Sequence, residues 1–319
     1  MLDIKENSIT NIPASGSWPE SIHVWEKEVL LAVNTALTAE RPLLVRGEPG
    51  IGKSQIARAA AEELGRMFIS EVVHARSESQ DLQFSFDAVR RLGEAQAIGA
   101  SRSQILDRLD AGKFISPGPL WWCFNWKSAS AQADQCLCGS SRPEVPEDWC
   151  PAKGSVLLLD EIDKADADLP NGLLETLGNG AFMIPHITKA IRLETGAPPP
   201  LVIITTNEER EMPAAFLRRC MVLQMKLPRT QDDFIQYLVK RGKTHFKQAC
   251  SKPVRVEAAR QLWEDRQTAV ENNLPAPGQA EYLDILRALI KMGKDETTRL
   301  EYLKAIKAFA FKKYPDEIR

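Results

Sequence analysis

One octapeptide constrains this chain more than any other stretch. Gly47-Glu48-Pro49-Gly50-Ile51-Gly52-Lys53-Ser54 satisfies G-x-x-x-x-G-K-[ST] at every fixed position. The apolar run Leu43-Leu44-Val45 before it reads as a short buried strand ending at Gly47. The residues after it, with Ile56, Ala60 and Leu64 in register, read as a helix from Lys53 to about Leu64. Strand, glycine-rich turn and helix form the context the motif requires. The glycines let successive backbone N–H groups turn inward around phosphate oxygens, and the helix N-terminus adds partial positive charge. In such a loop Lys53 reaches the β and γ phosphates and the Ser54 hydroxyl binds Mg²⁺. The plain alternative, a tight strand–helix turn with a chance lysine, explains the turn but not the whole motif.

Two further strands end in polar residues. Val156-Leu157-Leu158-Leu159-Asp160-Glu161 is four apolar residues and then two acids. A buried strand places such acids at the ligand crevice beyond the carboxyl edge of an open α/β sheet. Asp160 would hold Mg²⁺, and Glu161 would orient or deprotonate an attacking water. Two solvated acids at a strand end are the bland alternative. Asp163 and Lys164 read as local salt-bridge partners. Leu201–Thr206 is another buried strand, closed by Asn207, whose amide can bond a γ-phosphate or simply form a turn. Arg218 and Arg219 follow Pro213-Ala214-Ala215-Phe216-Leu217. They read as a surface pair or as a finger reaching a neighbouring subunit's phosphate.

Strands alternate with helices along the first part of the chain, which predicts a parallel α/β sheet. The strand candidates are Leu43–Val45, Phe68–Val73, Ser155–Leu159, Leu201–Thr206 and Met221–Leu227; the helices are Glu26–Leu37, Lys53–Leu64, Asp87–Ala97 and Leu169–Leu177. Met1 to about Trp18 reads as an irregular lead-in, and Leu106–Phe114 has mixed character. After Pro228 only helical patterns follow, opening at Thr230 with Asp233 three residues on and breaking near Asn272–Gly278 and Gly293. We therefore expect an α/β nucleotide-binding domain over 1–228 and a smaller all-helical lid over 229–319.

Composition is ordinary for a globular chain of 319 residues, 44% hydrophobic and 26% charged. A net charge of -2 gives no electrostatic argument for nucleic acid or anionic membrane. The longest apolar runs are strand-length, well short of the ~20 residues a membrane helix needs. Residues 1–20 lack the basic start and apolar stretch of a signal peptide, so the chain reads as cytoplasmic. Its six cysteines are then expected as thiols or metal ligands rather than disulfides.

Residues 116–154 lack periodicity and read as an irregular insertion rich in Cys and Trp. Cys123, Cys136, Cys138 and Cys150 fall inside it. Four thiolates can hold one structural Zn²⁺, although paired C-x₂-C turns are missing. Free thiols in a loop are the simpler alternative. Trp121, Trp122 and Trp126 beside them could stack on bases. Lacking interleaved basic residues apart from Lys127, they are expected instead to pack on the core or on a neighbouring subunit.

In combination and order, the octapeptide, Leu157–Ala165, Thr205–Arg210 and Pro213–Cys220 resemble a MoxR-type AAA+ ATPase of the helix-2-insert group. The likeness covers about Ile22 to Leu227; Phe86–Leu92 and Gly118-Pro119-Leu120 also fit it. It implies an AAA+ core with a five-stranded parallel sheet, an insert around 83–104, and ATP hydrolysis between the subunits of a hexameric ring. It places Asn207 at the sensor-1 position and Arg219, or else Arg218, at the arginine finger. It further implies chaperone-like remodelling of a partner, often one carrying a von Willebrand factor A domain; related rings serve in defence or on DNA. One departure is evident: the stretch Pro277–Leu283, where such proteins carry a sensor-2 arginine, has none, and Arg287 lies two turns further on. Slow turnover in a nucleotide-gated assembly module is the alternative reading.

Overall fold

A computed structural model of the chain describes residues 1–97, 108–139 and 142–307. The expectations for residues 98–107 and for the tail beyond Lys307 lie outside the described residues. The chain forms two compact units: Met1–Arg46 with Ser54–Leu223, and Gly47–Lys53 with Gln224 onward. The division falls at 223/224, where the sequence pattern suggests 228/229, and the glycine-rich loop groups with the helical unit.

The first unit opens with β1 (Ile9–Ile12) paired antiparallel to β2 (Ser21–Val24). This corrects the irregular lead-in expected through Trp18. Thr10 and Ile12 point inward while Ile9 and Asn11 face out, a period-two pattern too short to stand out among polar neighbours. Trp25 Nε1 donates to Thr10 Oγ1 at 2.7 Å and anchors the ribbon.

Helix α1 (Lys27–Ala39) buries Val29, Val33 and Ala36 on one stripe, and its C-terminus closes on Glu40 in the left-handed region. Then come β3 (Leu43–Arg46), α2 (Lys53–Leu64), β4 (Met67–Val72), β5 (Phe84–Phe86), α3 (Ala88–Ala97), β6 (Ile115–Pro117), α4 (Pro119–Phe124), α5 (Trp126–Gln135) and β7 (Ser155–Asp160). The unit closes with α6 (Asp168–Asn179), the hairpin β8 (Ala181–Ile184) and β9 (Lys189–Arg192), β10 (Leu201–Thr206), α7 (Ala214–Leu217) and β11 (Met221–Gln224).

Five strands form one parallel sheet in the order β11-β3-β10-β7-β4. Every residue of β10 is buried, as are the first five of β7. Strands covered on both faces read as continuous apolar runs, which is why these two are legible in sequence.

The first half of 116–154 is helical rather than an irregular insertion. Pro119 occupies the first turn of α4, and the Asn125 side chain caps α5 by accepting from Ser128 N at 3.0 Å. Leu120 through Phe124 are all buried in the core that also holds Leu157, Leu159 and Phe182. A helix buried all round has no polar face, so it leaves no amphipathic period to detect. Trp121 is fully buried and Trp122 nearly so; Trp126 packs against Trp122 at 4.7 Å and Trp149 at 5.2 Å between ring centroids. Trp121 and Trp122 are core residues, and Trp126 is half-buried against them.

The second unit is helical: α8 (Gln231–Phe246), α9 (Lys252–Glu271), α10 (Gln279–Met292) and α11 (Glu296–Ile306). Thr230 caps α8 by accepting from Asp233 N at 3.3 Å, as its sequence suggests. Phe234, Leu238, Val254, Leu262, Tyr282 and Leu286 make its core. Gly242 permits the close crossing of α8 over α10: a Cβ there would lie 2.9 Å from both Tyr282 Oη and Leu286 Cδ1. Among the described residues no helix is long and apolar enough to cross a membrane.

Candidate functional site

Parallel strands end at the same edge of a sheet, so the residues following β7 and β10 meet there without any further design. Ser54 Oγ, at the start of α2, donates to Asp160 at the end of β7 and lies 2.9 and 3.0 Å from its two carboxylate oxygens. Thr205 Oγ1 on β10 donates to Asp160 Oδ1 and accepts from Glu161 N at 3.0 Å. Thr205 and Thr206 are both almost fully buried. Two hydroxyls thus converge on one carboxylate, an oxygen-rich donor set of the kind Mg²⁺ takes.

Glu161 has φ 60°, in the left-handed region that non-glycine residues seldom occupy. Its carboxylate bonds Lys164 Nζ through Oε2, and Asn207 Nδ2 lies 3.4 Å from Oε1. The Lys164 ammonium is raised above its ordinary range, chiefly by that hydrogen bond to Glu161. Asp163 is buried and plays a different part. Its Oδ2 accepts from Asn207 N at 3.2 Å and Glu209 N at 2.9 Å, clamping the turn after β10. The local ion pair expected of Asp163 and Lys164 therefore runs instead from Lys164 to Glu161.

The glycine-rich loop belongs to the helical unit. Gly47 has φ 150° and a Cβ there would sit 2.7 Å from Met225 O; Gly50 has φ 73° and its Cβ would sit 2.9 Å from Ala280 Cβ. No side chain fits at either position, because the loop's backbone packs directly against Met225 and Ala280, and both glycines adopt positive φ. Lys53 is 6% exposed, and its Nζ donates to Gly47 O at 2.7 Å and Glu48 O at 2.9 Å. Glu48 pairs with Arg266 of α9, Nη2 to Oε1 2.6 Å. Arg266 also donates to Pro277 O at 3.1 Å and stacks over Phe234. The loop backbone with its lysine ammonium in one unit, and the Ser54–Asp160 oxygens in the other, each offer groups that suit ATP with Mg²⁺.

Pro49, Ile51 and Gly52 complete the loop; Ile51 is buried in the helical core, and Gly52 has φ 99°. Arg218 and Arg219 lie at the exposed C-terminal end of α7, and neither side chain has a partner among the described residues. Arg287 is exposed and paired with Asp284. Sequence reasoning alone does not single out Thr205 or Arg266. For Thr205 a signal exists, a polar pair closing an otherwise apolar strand. For Arg266 there is none, because only the fold sets position 266 beside position 48.

Among the described residues the four cysteines do not gather into a zinc site, and no group of three or more His, Cys, Asp or Glu side chains is arranged to hold a metal. Cys123 is in the α4 core, where burial pushes its thiol up to about 12. Cys150 is exposed. Cys136 and Cys138 lie together, with Cys138 N donating to Cys136 Sγ at 3.4 Å. A helix buried in the core cannot also offer its thiol to a surface cluster.

The family model for the AAA domain (dynein-related subfamily) matches residues 42–220, more than half of the chain. No curated protein sequence matches it. Among solved structures it is similar to a mutant of RuvB from Thermotoga maritima, at 12% identity over 91% of this chain and 71% of that one, with a TM-score of 0.47. An ATPase from Cytophaga hutchinsonii ATCC 33406 is similar at 12% identity over 89% and 79%, with a TM-score of 0.38. At these scores neither likeness adds to the family match. That match spans the glycine-rich loop, the Asp160–Glu161 strand end and Asn207, and the chain belongs to the AAA domain family, dynein-related subfamily, as an ATP-hydrolysing P-loop enzyme.

Proposed function

We propose that the chain is a MoxR-like AAA+ ATPase that turns over Mg-ATP at the subunit boundaries of a ring to remodel or regulate another protein. The observation that carries the reading is the Ser54–Asp160–Thr205 network beside Glu161. Ser54 and Asp160 would hold Mg²⁺, which when bound neutralises charge between the β and γ phosphates. Lys53 exchanges its two carbonyl partners for phosphate oxygens. Glu161 releases Lys164 and takes the proton of the attacking water, while Asn207 orients that water. Arg219, or Arg218 one residue earlier, extends from its exposed helix end to the neighbouring subunit's nucleotide. A hexamer is the expected ring, and a von Willebrand factor A protein the expected class of partner.

The reading is tested by steady-state ATP hydrolysis against protein concentration, with particle size followed in parallel. A specific rate that rises as rings form supports shared sites. A constant rate across the assembly transition rejects them. A second reading, a slow nucleotide-gated assembly module, is favoured by one observation: the Glu161 carboxylate is already engaged by Lys164 and Asn207. ATP-driven assembly with negligible turnover would select it.

A further inference from the structure

Strand β4 is the last strand of the five-stranded sheet, with β7 on one side only. The ladder fixes which of its backbone groups are spent. Met67 N donates to Gly154 O at 3.3 Å and Val73 N to Asp160 O at 2.9 Å, at the two ends of the pairing. In a parallel ladder alternate residues turn both N–H and C=O to the same neighbour. Residues 67, 69, 71 and 73 therefore face β7, and Phe68, Ser70 and Val72 turn theirs outward. Among the described residues no backbone group of those three has a partner. Trp18 flanks this edge, edge-on to Phe68 and donating from Nε1 to Ser70 Oγ at 3.4 Å, yet it leaves the outward backbone groups unpaired, and such groups template pairing with another chain.

This edge opens into a polar cleft of about 820 Å³ whose walls include Phe68, Ile69, Ser70 and Glu71. Strand β4 has six residues, so the edge is about 20 Å long at ~3.3 Å per residue. The cleft is strongly one-signed. Glu71, Asp81, Asp87 and Glu144 line it, against His74 and Arg142, and Arg142 is paired with Asp134 at 2.6 Å. Glu144 accepts from Ser15 Oγ and Gly16 N, Asp81 from Glu78 N and Asp87 from Arg90 N, all neutral donors that leave the carboxylate charges uncompensated. The Glu71 carboxylate has no hydrogen-bond partner among the described residues; burial raises its carboxyl above the usual range, with His74 opposing and Asp81 adding to that shift.

We propose that the β4 edge is a docking site for an extended segment of a partner protein, which adds to the sheet as a sixth strand and carries Lys or Arg at alternate positions. The outward groups of Phe68, Ser70 and Val72 pair with the segment's backbone, and the cleft carboxylates receive its basic side chains. Successive side chains of a strand point to opposite faces, so alternate basic residues suffice. The site lies wholly in the α/β unit and does not rest on nucleotide turnover.

The test uses the full chain and two immobilised hexapeptide pools, with either Lys or Glu fixed at alternate positions and the rest randomised. Retention on the lysine pool is expected to exceed that on the glutamate pool by at least about tenfold, the equivalent of ~1.4 kcal/mol. N-methylation of alternate amides in the lysine pool should abolish retention, since it removes the pairing N–H groups without changing charge. Ser70→Pro, tolerated on an edge whose N–H faces outward, should abolish it too. Retention by neither pool, equal retention by both, or retention insensitive to N-methylation would overturn the proposal. Should Ser70→Pro fail to fold, the N-methylated pool decides the matter on unaltered protein. Lys53→Ala protein should still be retained, which separates this site from the nucleotide reading.

Discussion

Residues 155–164 and residues 116–139 both contain side chains whose chemistry invites a functional reading, and the fold treats them oppositely. In the first segment Asp160 and Glu161 emerge from a buried strand into a set of matching partners: Ser54, Thr205, Lys164 and Asn207. In the second, Cys123 and three tryptophans are absorbed by packing, and among the described residues the cysteines do not gather into a metal site. A reactive residue type points to chemistry where its polar atoms converge with complementary ones. Where it is buried among apolar neighbours, the same type reports only volume and hydrophobicity.

This contrast can be broken experimentally. Lys53→Ala should lose measurable ATP binding in a nucleotide titration; undiminished affinity would remove the loop from the site. Glu161→Gln should keep binding but cut hydrolysis by about 10²–10⁴-fold, the usual range for a lost general base. A wild-type rate in that variant would place the base elsewhere.

On the packing side, Trp121→Ala should destabilise the α/β unit by about 3–5 kcal/mol in denaturant unfolding, because it empties a fully buried aromatic site. A change within ~0.5 kcal/mol would mean that α4 is peripheral to the core. Arg266→Ala, removing a mostly buried side chain that pairs with Glu48, donates to Pro277 O and lies over Phe234, should cost about 1–3 kcal/mol of stability. Its sharper readout is the KM for ATP, expected to rise while kcat changes less; an unchanged KM would make Arg266 a purely structural residue of the helical unit.

Thiol chemistry gives the smallest effect and the finest discrimination. With its thiol pushed up to about 12, Cys123 stays protonated at about pH 8 and should resist a thiol reagent until the protein unfolds, whereas exposed Cys150 reacts at once. Fast labelling of both in native protein would contradict the burial of α4.

Much of the site was legible because its residues follow one another along the chain or close an apolar run. The glycine-rich octapeptide needs no tertiary context, since its loop geometry and its neighbouring strand and helix are local. The central strands β7 and β10 were legible because continuous apolar runs mark strands buried on both faces. Short or uniformly buried elements left no such mark. The β1–β2 ribbon and the β8–β9 hairpin have only four residues per strand. Helix α4 has six residues, five of them buried, and so no polar side to reveal its period.

What the sequence determined alone was the kind of chemistry and the edge of the sheet that carries it, because strand ends, glycine turns and capping residues act over a few positions. Only the tertiary structure decided who meets whom across long separations. It set Ser54 on Asp160, Arg266 on Glu48, and Cys123 inside a core while Cys150 stays exposed. The physical reason is that packing is a collective property of distant residues: neither the spacing of cysteines nor the absence of an arginine near Gly278 encodes which side chains end up adjacent once the core closes.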